Sequence, residues 1–128
     1  MSFVSFGTWP GWVCLKKNGN RGSAAEQWGH KMIYAERIRG LAKDRNLIEG
    51  STVQAQFVKL IEEIGELAEA IAKGKDEQFL DSIGDAFVVL TILAAQKNLE
   101  IEECVAHAWD EIKDRKGRMV DGVFVKDE

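Results

Sequence analysis

Five carboxylates on two neighbouring stretches of helical pattern are the residues best suited to chemistry. Glu62, Glu63 and Glu66 fall within about one helical turn, and Asp81 and Asp85 are spaced i,i+4 further along the chain. Like charges at this spacing repel one another, and a bound cation would relieve the repulsion. Ligation by oxygen alone suits Mg²⁺ or Mn²⁺, whereas zinc favours histidine and cysteine. The pattern therefore predicts a site for Mg²⁺, with Mn²⁺ as the alternative metal.

The same carboxylates also allow purely structural interpretations. Lys59 can pair with Glu63 on a solvated helix face, and Asp81 or Asp85 can pair with a basic residue of a neighbouring helix. However, Asp85 opens a stretch that is apolar nearly all round, where an unpaired carboxylate is costly. Metal ligation and ion pairing both stay open at this point.

Charge limits the kinds of partner. The net charge is −4 and acidic residues outnumber basic ones after residue 31, so we expect no binding to a nucleic-acid polymer. A phosphate-bearing small molecule would need a metal ion between itself and this acidic body. The candidate substrate-binding cations are Lys59, Lys113, Arg115 and Lys116. The last three equally fit the basic end of a helix, where they complement its dipole.

Four predicted helices position these side chains, over residues 24–46, 51–73, 76–97 and 101–116. Only a few residues join the second helix to the third, so the two should pack antiparallel and bring the glutamates level with the aspartates. The expected helix starts are Ser23, Ser51 with Gln54 as a capping box, and Asp76, and the expected stops are Gly74, Asn98 and Gly117. The dipeptide Asp121-Gly122 lies between short apolar runs and predicts a tight hairpin.

The length of 128 residues fits one domain. Residues 1–22 are rich in glycine and aromatic residues and contain the only proline, so we interpret them as an extension or arm before a helical domain over residues 23–128. The third predicted helix has too much apolar surface for one small chain to cover, which predicts a homodimer or homotetramer. No apolar run approaches the ~18 residues of a membrane span, and Cys14 and Cys104 show no disulfide framework. We therefore expect a cytoplasmic protein with no membrane partner.

The motif Glu62-Glu63-x-x-Glu66, followed by Asp81-Ser-Ile-Gly-Asp85, resembles the MazG-like nucleoside triphosphate pyrophosphohydrolases of the all-α NTP-PPase superfamily. The resemblance runs from about Met32 to the C-terminus. It implies an all-α, four-helix MazG-like bundle, assembled as a homo-oligomer, with a non-helical N-terminal extension and a short C-terminal hairpin or tail. It also implies Mg²⁺-dependent hydrolysis of a (d)NTP to the (d)NMP and pyrophosphate, in the house-cleaning of the nucleotide pool.

The resemblance assigns catalytic roles to Glu62, Glu63, Glu66 and Asp85, and the last three of these become metal ligands. Ser82 stands where the second family motif has a glutamate. Asp81 is our own inference for the missing ligand, although its direction on a helix differs by ~100°. This departure leaves an alternative, a non-catalytic helical module that binds a nucleotide or a protein.

Overall fold

The computed structural model describes residues 24–128, which form four helices and a two-stranded hairpin. The helices are α1 (Ala24–Asp44), α2 (Val53–Lys73), α3 (Asp76–Gln96) and α4 (Ile101–Ile112), and the strands are β1 (Gly117–Val120) and β2 (Val123–Lys126). The expected all-α class with a short C-terminal hairpin is confirmed. The expected arm over residues 1–22 and the expected cap at Ser23 lie outside the described residues, so the domain division stays a prediction.

The start of α2 differs from the prediction by one residue. Thr52, rather than Ser51 in a capping box with Gln54, is the N-cap, and its hydroxyl accepts a hydrogen bond from the backbone N–H of Ala55 at 3.0 Å. Serine and threonine are both common N-cap residues, with serine somewhat preferred, so the sequence pointed to Ser51 rather than Thr52. Gly74 ends the helix in the left-handed conformation with φ of 63°, as expected.

The predicted cap of α3 at Asp76 is also wrong. Lys75 precedes the helix and makes no side-chain cap, while Asp76 lies in the first turn, where its charge complements the helix dipole. At the other end, Asn98 has a φ of 57° and its N–H donates to the carbonyl of Ala95, so this residue closes the helix as predicted.

The last predicted helix is too long. Helix α4 ends at Ile112 instead of Lys116, and Gly117 begins β1 rather than stopping a helix. The expected tight turn is present, since Asp121 and Gly122 both have positive φ and join two antiparallel strands. The residues beyond α4 form a turn, in which the Arg115 N–H donates to the Ile112 carbonyl, and the Asp127 N–H donates to the Lys116 carbonyl just before β1.

Helix α3 lies at the centre of the bundle, because it packs against α1, α2 and α4. It runs antiparallel to α2: near its start the Gln78 amide donates to the backbone carbonyl of Glu66, and further along Asp85 meets Glu63. Ala35, Ala94 and Ile101 form a buried cluster where α1, α3 and α4 join. The strands pair with each other, and neither packs closely against one of the four helices.

By length and composition, α3 alone among the described helices could cross a membrane. The central helix of a bundle meets the same test, and α3 is packed by three other helices. It also carries acidic residues at four positions, Asp76, Glu77, Asp81 and Asp85.

Two rows of large apolar side chains are exposed on adjacent helices. We call them the apolar stripes: Phe57, Ile61, Ile64 and Ile71 on α2, and Leu80, Ile83, Phe87 and Leu90 on α3. Their spacing of three and four residues, with Ala68 between Ile64 and Ile71, is that of a helix-packing seam. On α2, the buried residues are instead Glu63 and Ala70. Within residues 24–128, the most regular apolar face of the chain is therefore left uncovered.

A bidentate ion pair joins α1 to α4. Arg39 Nη1 and Nη2 donate to the Glu102 carboxylate at 2.7 and 3.1 Å, and both side chains are mostly covered. The hydrogen bond from Arg39 holds the pKa of Glu102 below its ordinary value.

The Arg39→Met variant is expected to lose about 1–2 kcal/mol of unfolding free energy at pH 7, because charged hydrogen bonds with fixed geometry are stronger than neutral ones. Since the pKa of Glu102 is lowered in the fold, the difference from the wild type should be complete above the unfolded pKa of about 4.3 and fade as pH falls through the folded value. Urea unfolding at several pH values measures this. Lys73→Met, which removes the exposed 2.6 Å pair with Glu69, is the control, and an equal loss there would contradict the prediction.

Candidate active site

A cavity of about 60 Å³ lies where α2 and α3 meet α1. Its polar lining consists of Gln56, Lys59 and Glu63 from α2 and Asp85 from α3. The remaining lining is apolar and comes from α1, the turn after it and α3: Ile38, Leu41, Ala42, Leu47, Val88, Val89 and Ile92. The cavity is therefore apolar with one charged corner.

Glu63 is the buried acid of this corner, with 4% of its surface exposed. The sequence places it at the edge of the apolar face of α2, and the fold turns that edge towards α3. Oε1 accepts a hydrogen bond from Lys59, while Oε2 is buried and has no hydrogen-bond partner in the described part of the chain. Leaving a buried polar atom unpaired costs about 1–3 kcal/mol, more when it is charged. This oxygen is thus open to a partner that residues 24–128 do not supply.

Lys59 lies between two glutamates. Its Nζ is 2.6 Å from Oε1 of Glu63 and 3.4 Å from Oε2 of Glu62. Burial lowers the pKa of Lys59, but the hydrogen bond and charge of Glu63, together with those of Glu62, outweigh burial and leave the pKa above its ordinary value. The ion pair between Lys59 and Glu63, which the sequence allowed as an alternative to metal ligation, is thus present. Its acid, Glu63, is buried.

Asp85 is the half-buried acid on the facing helix. Burial raises its pKa, and the nearby negative charges of Glu63, Asp81 and Glu66 raise it further, whereas Lys59 acts in the opposite direction. Glu63, Glu66 and Asp81 thus lie close enough to Asp85 to act on it electrostatically, as the antiparallel packing of α2 and α3 predicts. The field at this corner favours cations.

The side chains of Glu66 and Asp81 are more exposed than those of Glu63 and Asp85. Among residues 24–128, no three His, Cys, Asp or Glu side chains converge closely enough to hold a metal ion as they stand. The predicted ligands Glu63, Glu66, Asp81 and Asp85 are therefore neighbours that would have to rotate to share an ion. Two observations fit a hard cation here: the unpartnered Oε2 of Glu63 and the all-oxygen donor set.

Ser82, at the position of the missing family glutamate, is 1% exposed and faces the helix packing. Its hydroxyl is buried without a hydrogen-bond partner in the described residues. Asp81 lies one position away on the exposed side of α3. The substitution therefore puts a small side chain at a buried position, and Asp81 supplies charge from a different direction.

The basic cluster near the end of α4 lies away from this cavity lining. Lys113 pairs with Asp110 at 2.7 Å. Arg115 and Lys116 line a separate surface hollow beside the hairpin. The structure does not bring these three predicted substrate-binding residues to the carboxylate corner, so that role stays a prediction.

Gln56 is a cavity residue that the sequence analysis did not single out. It precedes Lys59 by three positions and Glu63 by seven, so the helical period places all three on one face of α2. Its amide donates to the Ser51 hydroxyl at 3.0 Å, which holds it at the start of the helix. The apolar wall depends on α1, and no local sequence signal linked α1 to the carboxylates.

The structure is thus that of an all-α bundle with an acidic corner between two antiparallel helices. The family model of the MazG nucleotide pyrophosphohydrolase domain matches residues 51–120, more than half of the chain, and the chain belongs to this family. The matched segment runs from the start of α2 to the end of β1 and contains all of the candidate carboxylates. The resemblance noted from the two acidic motifs is confirmed.

One relative is a phage protein described as an uncharacterized 18.2 kDa protein in the rep-hol intergenic region of Haemophilus phage HP1. The two are 54% identical over 63 residues, which is 49% of this chain and 39% of the relative. The chain thus matches about two fifths of that protein. No solved structure matches the chain.

Proposed function

We propose that the protein is a Mg²⁺-dependent nucleoside triphosphate pyrophosphohydrolase that converts a (d)NTP to the (d)NMP and pyrophosphate. The observation that carries the proposal is the buried Glu63 carboxylate, half partnered by Lys59 and near Asp85 of the facing helix in the charged corner of the cavity. Membership of the MazG family supports the nucleotide and the anhydride chemistry. In the cell, the reaction would remove unwanted nucleotides from the cytoplasmic pool.

The carboxylates of Glu63, Glu66 and Asp85, with Asp81, are the proposed ligands of the ion. When bound, Mg²⁺ neutralises phosphate charge and activates water for attack. A water oxygen bonds to the α-phosphorus, the bond from that phosphorus to the bridging oxygen breaks, and pyrophosphate leaves. Glu62, at the more open side of the corner, is the residue proposed to orient the water and accept its proton. The apolar cavity wall offers few polar groups beside the charged corner, which strengthens the electrostatic contacts there.

We also propose that copies of the chain assemble through the apolar stripes on α2 and α3. Isolated exposed apolar residues are ordinary on protein surfaces, but a continuous seam at alternating three- and four-residue spacing is suited to pairing with another helix. A twofold pairing would place two helices of one copy against two of the other, as in a four-helix bundle.

The test of the activity is pyrophosphate release from the common NTPs and dNTPs with Mg²⁺ or with EDTA. Glu63→Gln is expected to reduce release at least about a hundredfold, because it removes the buried negative charge while keeping the side-chain shape. Glu69→Gln, an acid on the same helix that pairs only with exposed lysines, is expected to keep wild-type activity.

Release that survives in Glu63→Gln would contradict the assignment of this corner as the active site. A folded protein that binds nucleotides but releases no pyrophosphate from any of them would favour the non-catalytic binding module, for which the serine at position 82 is the supporting observation.

A further inference from the structure

Lys59 places a positive charge where the proposed metal ion would also bind. One ammonium group contacts Oε1 of Glu63 at 2.6 Å and Oε2 of Glu62 at 3.4 Å. The Glu63 side chain is 5% exposed and that of Lys59 is 27% exposed. The lysine therefore approaches from the open side of the corner and places its positive charge against the buried carboxylate.

An ion on Oε2 of Glu63, the oxygen without a described hydrogen-bond partner, would share one carboxylate with the ammonium group on Oε1. Mg²⁺ lies about 2.1 Å from its carboxylate ligands, so an ion on this carboxylate would be within about 7 Å of Nζ in the present position. At that distance two positive charges repel strongly in a partly buried site. The lysine stem is flexible and its ammonium can bond in any direction, so Lys59 can leave while the ion cannot adapt its short bonds.

We infer that Lys59 is a resident counter-ion, which a metal ion displaces from Glu63 and which then turns to the phosphates of the bound nucleotide. The inference rests on the proposed function, from which it takes the metal and the phosphate. Without ligands, Lys59 keeps the buried acid of the corner paired and so maintains the packing of α2 against α3. With both ligands present, the same positive charge pairs with substrate instead.

This exchange makes the two ligands bind cooperatively. Metal binding frees Lys59 for the phosphate, and phosphate binding holds Lys59 away from the metal ligand. Coupling of this kind is reciprocal, so each ligand raises the affinity for the other by the same factor. Part of that factor should depend on the charge of Lys59.

The same helix provides a matched control. Lys73 and Glu69 repeat the i,i+4 spacing and the 2.6 Å distance of Lys59 and Glu63, but both side chains are largely exposed. Lys73 is outside the cavity lining. Its substitution makes the same change in net charge and also removes an i,i+4 ion pair, without touching the proposed site.

The experiment measures Mn²⁺ binding from the electron paramagnetic resonance signal of the free ion, and tripolyphosphate binding by calorimetry at saturating Mn²⁺. Lys59→Met is expected to bind Mn²⁺ about tenfold more tightly than the wild type, because no charged hydrogen bond has to be broken. The same variant should bind tripolyphosphate about tenfold more weakly, because one charged contact to phosphate is lost. Lys73→Met should match the wild type in both titrations.

Unchanged or weaker Mn²⁺ binding by Lys59→Met would overturn the inference. After such a result, Mn²⁺ binding that is present in the wild type and lost in Glu63→Gln would mean that the proposed metal site stands and that only the displacement of Lys59 fails. If the wild type binds no Mn²⁺, the proposed function fails as well. Lys59→Gln retains a neutral donor for Glu63 and gives the same test if the methionine variant does not fold, as judged by its helical circular dichroism.

Discussion

The Asp85→Asn variant is expected to lose hydrolysis and to gain thermal stability. Asp85 is a proposed ion ligand, so its amide should reduce pyrophosphate release at least about a hundredfold. In the absence of metal, however, the ionised Asp85 is unfavourable, because it is half-buried and faces the negative charges of Glu63, Asp81 and Glu66. Removing that charge should raise the midpoint of thermal unfolding by about 2–5 °C.

The pH dependence of this gain follows from the direction of the pKa shift. Because the pKa of Asp85 is raised in the fold, its ionised form destabilises the protein at neutral pH. That penalty declines as pH falls through the raised value and is absent below the unfolded pKa of about 3.9. The stability difference between Asp85→Asn and the wild type should therefore be largest near neutral pH and vanish in acid.

Calorimetric scans in EDTA at several pH values, with pyrophosphate assays in Mg²⁺, measure both effects. Glu49→Gln makes the same change from carboxylate to amide at an exposed position after α1, and should leave both stability and activity unchanged. A variant that is inactive but less stable than the wild type at neutral pH would show that Asp85 supports the fold rather than straining it.

Charges placed on the apolar stripes are expected to convert an assembly into single chains. In Ile61→Lys/Phe87→Lys, one lysine enters each stripe at a residue that is already exposed in the isolated chain. The fold of the single chain should therefore tolerate both changes. In the proposed interface each change exchanges an apolar contact worth about 1.5–3 kcal/mol for a buried charge, so association should fail.

Size-exclusion chromatography with light scattering measures the result. The wild type should elute with a multiple of the 14.3 kDa chain mass, and the double variant with 14.3 kDa. Val58→Lys is the matched control, because this exposed valine lies on α2 about 100° from the centre of the stripe. A wild type with the mass of one chain, or dissociation caused equally by Val58→Lys, would contradict assembly through the stripes.

The sequence predicted the helices and the meeting of acids across them because both depend on local periodicity. Apolar spacing and Gly74 define α2, and the short connection to α3 forces an antiparallel pair that brings Glu63 level with Asp85. The sequence did not predict which face of α2 turns towards the rest of the chain. Its periodicity marks one apolar face, yet the fold of the single chain buries Glu63 and leaves Ile61 exposed. A hydrophobic pattern does not distinguish a face that meets the chain's own core from one that meets a partner.

The other features that the sequence did not predict depend on contacts between residues far apart in sequence. Helix α4 stops at Ile112 because the chain from Gly117 onward pairs as a hairpin, and the helical pattern of residues 113–116 carries no information about that pairing. The apolar wall of the cavity was missed for the same reason, since Leu41 and Val88 are far apart in sequence and meet only in the folded chain.

If copies assemble through the apolar stripes as proposed, the amount of protein becomes a determinant of its structure. The assembled chain would gain stability from mass action, so dilution would weaken it although no bond within the chain has changed. Glu63 and Asp85 lie on the two helices that carry the stripes, so the geometry of the acidic corner would be tied to the same equilibrium. The number of copies in a cell would then set the fraction that is assembled, as well as the total available for catalysis.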